Sequence, residues 1–163
     1  MLGRFGKSLA LLLLVVTTIG CDRVTKHLAA ENLAGAPPQS FLADTIRLTY
    51  AENTGGFLSL GAGMPPALRT AVFTIATGAF LLVLAVMAWR QRGSKWYAAA
   101  FSLFIAGGVS NWFDRVTNGW VVDFLNVGIG WLRTGVFNVA DVAIMLGVAL
   151  FVFAELRARS GLQ

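Results

Sequence analysis

The sequence is poor in the residues on which most soluble enzymes rely. It has one cysteine, Cys21, and one histidine, His27, in 163 residues. A single cysteine excludes an internal disulfide framework. One histidine and one cysteine leave too few ligands for a His/Cys metal site, and no metal or other cofactor is expected. A Ser-His-Asp triad would have to use His27. Charge is scarce too: 13% of residues are Asp, Glu, Lys or Arg, against roughly 25% in a soluble domain. The net charge of +5 is not gathered into a basic face, so nucleic acid is not an expected partner.

Apolar residues are plentiful, at 56% of the chain. A membrane-spanning helix needs about 20 mostly apolar residues, and four stretches qualify, at about 8–30, 68–89, 96–113 and 136–154. The expected fold is a membrane all-α domain of four transmembrane helices, occupying 1–163 as one unit, with outer loops at 31–67 and 114–135. Basic residues flanking spans mark the cytoplasmic side. With the N-terminus inside, Arg4, Lys7, Arg90, Arg92, Lys95, Arg157 and Arg159 are cytoplasmic, opposed only by Glu155. The other acids, Asp22, Glu31, Asp44, Glu52, Asp114, Asp123 and Asp141, then fall on the outer side. Both termini are cytoplasmic in this arrangement, and polar chemistry faces outward. In the first outer loop, TIRLTY (Thr45–Tyr50) alternates with period two and predicts a strand. VVDFLNVGIGW in the second is read as extended, giving a small sheet over the helix ends.

The stretch TTIGCDRVTKHLAA (Thr17–Ala30) allows two readings. A basic start, an apolar run and Gly20-Cys21 suit an export signal cleaved before Cys21. Thr18, however, stands where such signals usually carry Leu, and both termini share the basic side only if the segment is retained. It is therefore read as a membrane helix, with Cys21 as a small buried apolar residue. Asp22 and Lys26 are spaced i,i+4 and share a face. In a helix starting near Ser8, Asp22 lies about 21 Å along at ~1.5 Å per residue, inside a ~30 Å hydrocarbon core. Charge at that depth is costly and marks function or support of a site. The plainer alternative is an ion pair at the helix end, with Arg23 and Lys26 snorkelling.

Two further acids have apolar flanks or a helix start beside them. Asp123 lies in VVDF and Asp141 in FNVAD. Two adjacent carboxylates can hydrolyse an amide without Ser, Cys or metal, because repulsion and desolvation leave one protonated and one ionised. Asp141 also has a purely structural reading, since Asn138 three residues earlier makes an N-cap and an acid there suits the helix dipole. Asp123 alone would be a solvated loop acid but for Val121, Val122 and Phe124. SNWFDR sets Asn111, Asp114 and Arg115 at i, i+3 and i+4. There Asn111 can bond a neighbouring helix, and Asp114 and Arg115 can tie the following loop. Asn53 in ENTGG is either a turn residue or an amide for a peptide backbone. Trp89, Trp96, Trp112, Trp120 and Trp131 fit an interfacial aromatic belt.

In order, DRVTK (Asp22–Lys26), NTGGFLS (Asn53–Ser59), GGVSNWFDR (Gly107–Arg115), VVDF (Val121–Phe124) and FNVAD (Phe137–Asp141) resemble the lipoprotein signal peptidase family, signal peptidase II, over nearly the whole chain. The resemblance implies an aspartic endopeptidase of the bacterial inner membrane, with its active site near the outer leaflet and a small outer β-cradle. Its substrates would be prolipoproteins whose lipobox Cys carries diacylglycerol, cut on the N-terminal side of that Cys. Membrane lipids would surround the chain, which is taken as a monomer. The family's catalytic pair falls on Asp123 and Asp141. Its supporting or substrate-binding residues fall on Asp22, Lys26, Asn53, Gly55, Asn111, Asp114, Arg115 and Asn138. Two departures stand where substrate would pack: Gly56-Phe57-Leu58 replaces Ala-Ala-Phe, and Ser110 replaces Gly.

Two other readings use the same residues. A non-catalytic membrane scaffold or transporter subunit needs no dyad, although a transporter more often carries ionisable groups near the midplane, and the second and third spans have none. A Ser/Lys protease would use Lys26 with an outer-loop serine such as Ser59.

Overall fold

The computed structural model of the chain describes residues 2–56, 60–90 and 94–160. The described residues form four helices and four strands: α1 (Leu2–Leu33), β1 (Gln39–Phe41), β2 (Ile46–Asn53), α2 (Pro66–Arg90), α3 (Lys95–Asn118), β3 (Val121–Ile129), β4 (Leu132–Arg133) and α4 (Val139–Arg159). Within α2 the segment Thr70–Ala76 is wound as a wider π-type turn.

Among the described residues, three helices are long and apolar enough to cross a membrane: Gly6–Leu33, Pro66–Arg90 and Val139–Arg159. The third expected span, 96–113, is helical as anticipated, but α3 is not among them. The reason lies in its composition. α3 packs against α1, α2 and α4, and its buried positions are Ala98, Ala100, Phe101, Ala106, Gly107, Gly108, Ser110, Asn111 and Asp114. Its alanines and glycines let helices approach closely, while its glycines and polar residues, Ser102, Ser110, Asn111 and Asp114 among them, lower the hydropathy of the segment. Gly107 shows how close the approach is, since a Cβ there would stand 2.3 Å from the Ala140 carbonyl oxygen of α4.

Helix ends differ from the expected boundaries for local reasons. α3 continues past Phe113 to Asn118, where Gly119 adopts φ 86° and closes it. α4 starts at Val139 because Asn138 is extended and caps it. Large apolar side chains such as Leu12, Ile75, Leu82 and Phe153 point outward, as helices in lipid do. Cys21 is exposed on α1, not buried as expected, because it lies on this outward face.

The sheet is antiparallel throughout in the order β1-β2-β3-β4. The strand expected at Thr45–Tyr50 runs from Ile46 to Asn53, and VVDFLNVGI forms β3. Ala29 and Leu33, in the last turns of α1, bury Phe124, with Leu48, Tyr50 and Leu125 around them. That small core fixes one end of the sheet to the helix bundle. A register shift between Leu48 and Ala51 sets Ala51 opposite Asp123 and Asn53 opposite Val121. Asn53 and Asp123 thereby arrive at the sheet end that meets the helices.

Candidate active site

The start of α4 organises the site. Asn138, fully buried, is its N-cap: the side-chain oxygen accepts the Asp141 backbone N–H at 2.9 Å, and Asp141 Oδ2 accepts the Asn138 N–H at 3.1 Å. This is a capping box with Asp in the third position. The cap reading of NVAD is therefore correct as far as it goes. The same Asn138 also reaches across to the sheet, where its amide donates to Asp123 Oδ1 at 2.6 Å. One residue thus bonds both carboxylates.

Asp123 is held from its other side by β2. Asn53 Nδ2 donates to Asp123 Oδ2 at 2.8 Å. Burial pushes the Asp123 carboxyl up to about 6, with the charge of Asp141 acting in the same direction and the amides of Asn53 and Asn138 opposing. Asp141 Oδ1 accepts the Asn111 amide at 2.9 Å. Both carboxylates are buried, and each accepts two donors from rigid elements.

Beneath the pair lies a second ionic layer. Lys26 Nζ donates at 2.7 Å to Asn111 Oδ1 and Asp114 Oδ2, and stands 2.7 Å from Asp22 Oδ2. Arg23 pairs with the other oxygen of Asp114 and lies over the Phe113 ring. Arg23 is therefore engaged at the site as well as partly exposed, and Lys26 is buried rather than snorkelling. Asp22 Oδ1 accepts the backbone N–H of Ala140 at 2.8 Å. Its Oδ2 also accepts the Ser110 hydroxyl at 2.7 Å. Burying this many charges is tolerable only because each is paired and hydrogen-bonded, and no buried side-chain N or O among the described residues lacks a partner.

Arg115 and Asp114 do not tie the loop that follows them, because α3 continues beyond both. Arg115 instead grips the turn after β2: its NH2 and Nε donate to the Gly55 carbonyl at 2.6 and 3.2 Å. That turn closes on itself, with the Gly55 N–H donating to Asn53 Oδ1 and Asn53 Nδ2 donating to the Gly56 carbonyl. Only glycine fits at 55, where a Cβ would stand 2.4 Å from the Leu60 carbonyl oxygen.

All ten residues singled out in the sequence meet in this one cluster. The departure at Ser110 does not face a substrate, since the side chain is 1% exposed and bonded to Asp22. At Gly56 the space a Cβ would need is taken by the Phe73 ring. Phe57, Leu58 and Ser59 lie outside the described residues. The sequence placed Ser110 beside substrate and not on Asp22, and gave no role to the Ala140 N–H. The signal that could have found the bond is the polarity of Ser110 after Gly107, Gly108 and Val109.

A helical membrane protein with two buried carboxylates joined through one asparagine is the class that fold and site define. The sequence pattern of the signal peptidase (SPase) II family matches residues 14–157. The chain is 31% identical over 147 residues to the lipoprotein signal peptidase of Lactococcus lactis subsp. cremoris, covering 90% of this chain and 93% of that one. It is 32% identical over 145 residues to that of Caldicellulosiruptor bescii, covering 89% of each. A solved structure described as a bacterial membrane enzyme superposes with a TM-score of 0.79 at 27% identity, over 94% of this chain and 92% of that one. The chain belongs to the signal peptidase II family.

Proposed function

We propose that this chain removes signal peptides from diacylglyceryl-modified prolipoproteins, cutting on the N-terminal side of the lipidated Cys, with Asp123 and Asp141 activating the water. Family membership gives the activity and the aspartic type. The observation that carries the dyad is the Asn138 bridge, which bonds Asp123 through its side-chain amide and Asp141 through both its backbone N–H and side-chain oxygen.

Asp123, with its carboxyl pushed up to about 6, is the partner that keeps a proton. A substrate closing over the site removes water and favours the neutral form further. Asp141, ionised, takes a proton from a water molecule as its oxygen attacks the scissile carbonyl carbon. Asp123 donates its proton to the carbonyl oxygen, and a gem-diol forms. The proton on Asp141 passes to the amide nitrogen while Asp123 recovers one from the diol, and the C–N bond breaks. The products are a signal-peptide carboxylic acid and the free α-amine of the lipidated Cys. No cofactor takes part.

The substrate's diacyl chains require a site at the membrane. In our reading α3 completes a set of four spans, surrounded by the three apolar helices, and the chain forms one integral-membrane domain. Both termini are cytoplasmic, the site lies near the outer leaflet of the bacterial inner membrane, and the chain acts as a monomer. The charge asymmetry supports this orientation. A Ser/Lys mechanism is disfavoured because the three N–H bonds of Lys26 are taken up by Asp22, Asn111 and Asp114. Full cleavage by Ser59→Ala would remove that option. The experiment is cleavage of a purified diacylglyceryl-modified prolipoprotein beside its unlipidated form. A new N-terminus at the lipidated Cys, for the lipidated form alone, is expected. Cleavage elsewhere, or none by the folded chain, would contradict the reading.

A further inference from the structure

The end of the sheet remote from the carboxylates carries no catalytic group, yet it is built with unusual care. Two turns meet there. One joins β1 to β2 through Leu42, Ala43 and Asp44, and the other joins β3 to β4 through Gly130 and Trp131. They are tied together, with the Gly128 N–H donating to the Thr45 carbonyl at 2.9 Å and Arg133 NH1 donating to the Asp44 carbonyl at 2.6 Å.

What the paired turns present is apolar. Trp131 is 93% exposed and Leu42 72%, with Ile129, Leu132 and Phe41 exposed beside them. Turn apices in water ordinarily carry Gly, Asn, Asp, Ser or Pro. Leu42, Ala43 and Asp44 also hold positive φ angles of 52°, 51° and 67°. Three consecutive non-glycine residues in the left-handed region are strained, and Leu42 at their head is exposed. Directly behind this apolar tip sit charges: Arg47 bonds Asp44 through Nε at 2.7 Å and NH2 at 2.5 Å, and Arg133 reaches the same carboxylate. Two guanidiniums on one carboxylate leave a net positive charge.

We infer that this paired-turn tip inserts into the lipid headgroup region of the membrane that the helices cross. Trp and aliphatic side chains at the apex, backed by Arg, are the composition of an interfacial anchor. The charge behind the tip complements phospholipid phosphates, and the neighbouring helices already require a bilayer. The opposite end of the same strands carries Asn53 and Asp123. Anchoring the tip therefore braces the sheet from both ends, lipid at one and the helix bundle at the other.

The test is immersion depth by spin labelling. In a Cys21→Ser background, Leu42→Cys and Trp131→Cys, one on each turn, carry a nitroxide in the full chain reconstituted into phosphatidylethanolamine/phosphatidylglycerol vesicles. Glu31→Cys serves as a reference for a polar exposed position. Relaxation by oxygen exceeding that by a water-soluble nickel chelate at both 42 and 131 is expected. Dominance of the nickel chelate at both would place the tip in water and overturn the inference. Labels reached by neither would indicate a protein occupant, a second copy or another partner, and would overturn it equally. Because the readout is depth and not cleavage, failure here would leave the proposed activity standing.

Discussion

The carboxylate of Asp22 in the first helix accepts the backbone N–H of Ala140 in the first turn of the last helix, 118 residues away, at 2.8 Å. That bond ties the polar end of α1 to the start of α4, where Asn138 and Asp141 lie. A carboxylate at a helix N-terminus satisfies a donor that the helix cannot satisfy itself and interacts favourably with its dipole. The pairing explains charge deep in an apolar segment. Asp22 positions Asp141 from below, and Lys26 neutralises Asp22 in return.

Asn138 is the residue whose loss should separate stability from catalysis. Asn138→Ser keeps an oxygen for the cap but cannot donate an amide to Asp123. Asn138→Ala loses both and should cost roughly 1 kcal/mol more in cap energy. Cleavage by both variants should drop on the order of 100-fold, the scale of a misplaced reacting group, while the melting temperature of the serine variant stays nearer wild type. Parallel rate and thermal-melt measurements check this. Equal activity of Asn138→Ser and wild type would remove the bridge from the account.

Ser110 makes a sharper test of position. Removing its hydroxyl in Ser110→Ala deletes one hydrogen bond to a charged group, worth about 1.5–3 kcal/mol. The expected result is a lowered melting temperature with KM unchanged, since the side chain faces Asp22 and not the substrate. A changed preference for residues around the scissile bond would instead return Ser110 to the substrate path.

Much of this could be read in the sequence, and the limits have physical causes. Apolar runs and charge asymmetry gave the helices, and alternation gave β2. The nine polar residues of the site were legible because buried polar groups and charge in an apolar chain have few alternatives to pairing. The joint role of Asn138 was not legible. NVAD specifies a cap by itself, and only the register of β2 on β3, shifted between Leu48 and Ala51, brings Asp123 within reach of the same amide. The place of α3 was legible as a helix but not as the inner one, because its alanines and glycines, which let it fit between the other helices, show no partner in the sequence. The exposed tip was hidden because Trp131 reads as one more belt tryptophan until the two turns are seen side by side.

The pH dependence follows from Asp123. Its folded value, raised to about 6 by burial, makes the protonated form available well above the ordinary carboxylate range. As pH rises through about 6 the free enzyme loses that proton, so kcat/KM should decline on the alkaline side. On the acid side it should fall as the dyad takes up a second proton, and the apparent values belong to the pair. A profile of kcat/KM against pH checks this. A rate that climbs steadily from pH 6 to pH 9 would contradict Asp123 as the acid.

Topology has its own test. In a Cys21→Ser background, Ser40→Cys, on β1, should react with an impermeant maleimide added outside intact cells. Gly93→Cys, in the basic connection outside the described residues, should react only after the membrane is opened. The reverse pattern would invert the orientation.

The most direct measurement is single-turnover cleavage of a diacylglyceryl-modified prolipoprotein by wild type, Asp123→Asn and Asp141→Asn, each shown to be folded by its melting profile. The signal-peptide fragment is expected from wild type and from neither variant. Cleavage at near wild-type rate by either folded variant would contradict the two-carboxylate mechanism.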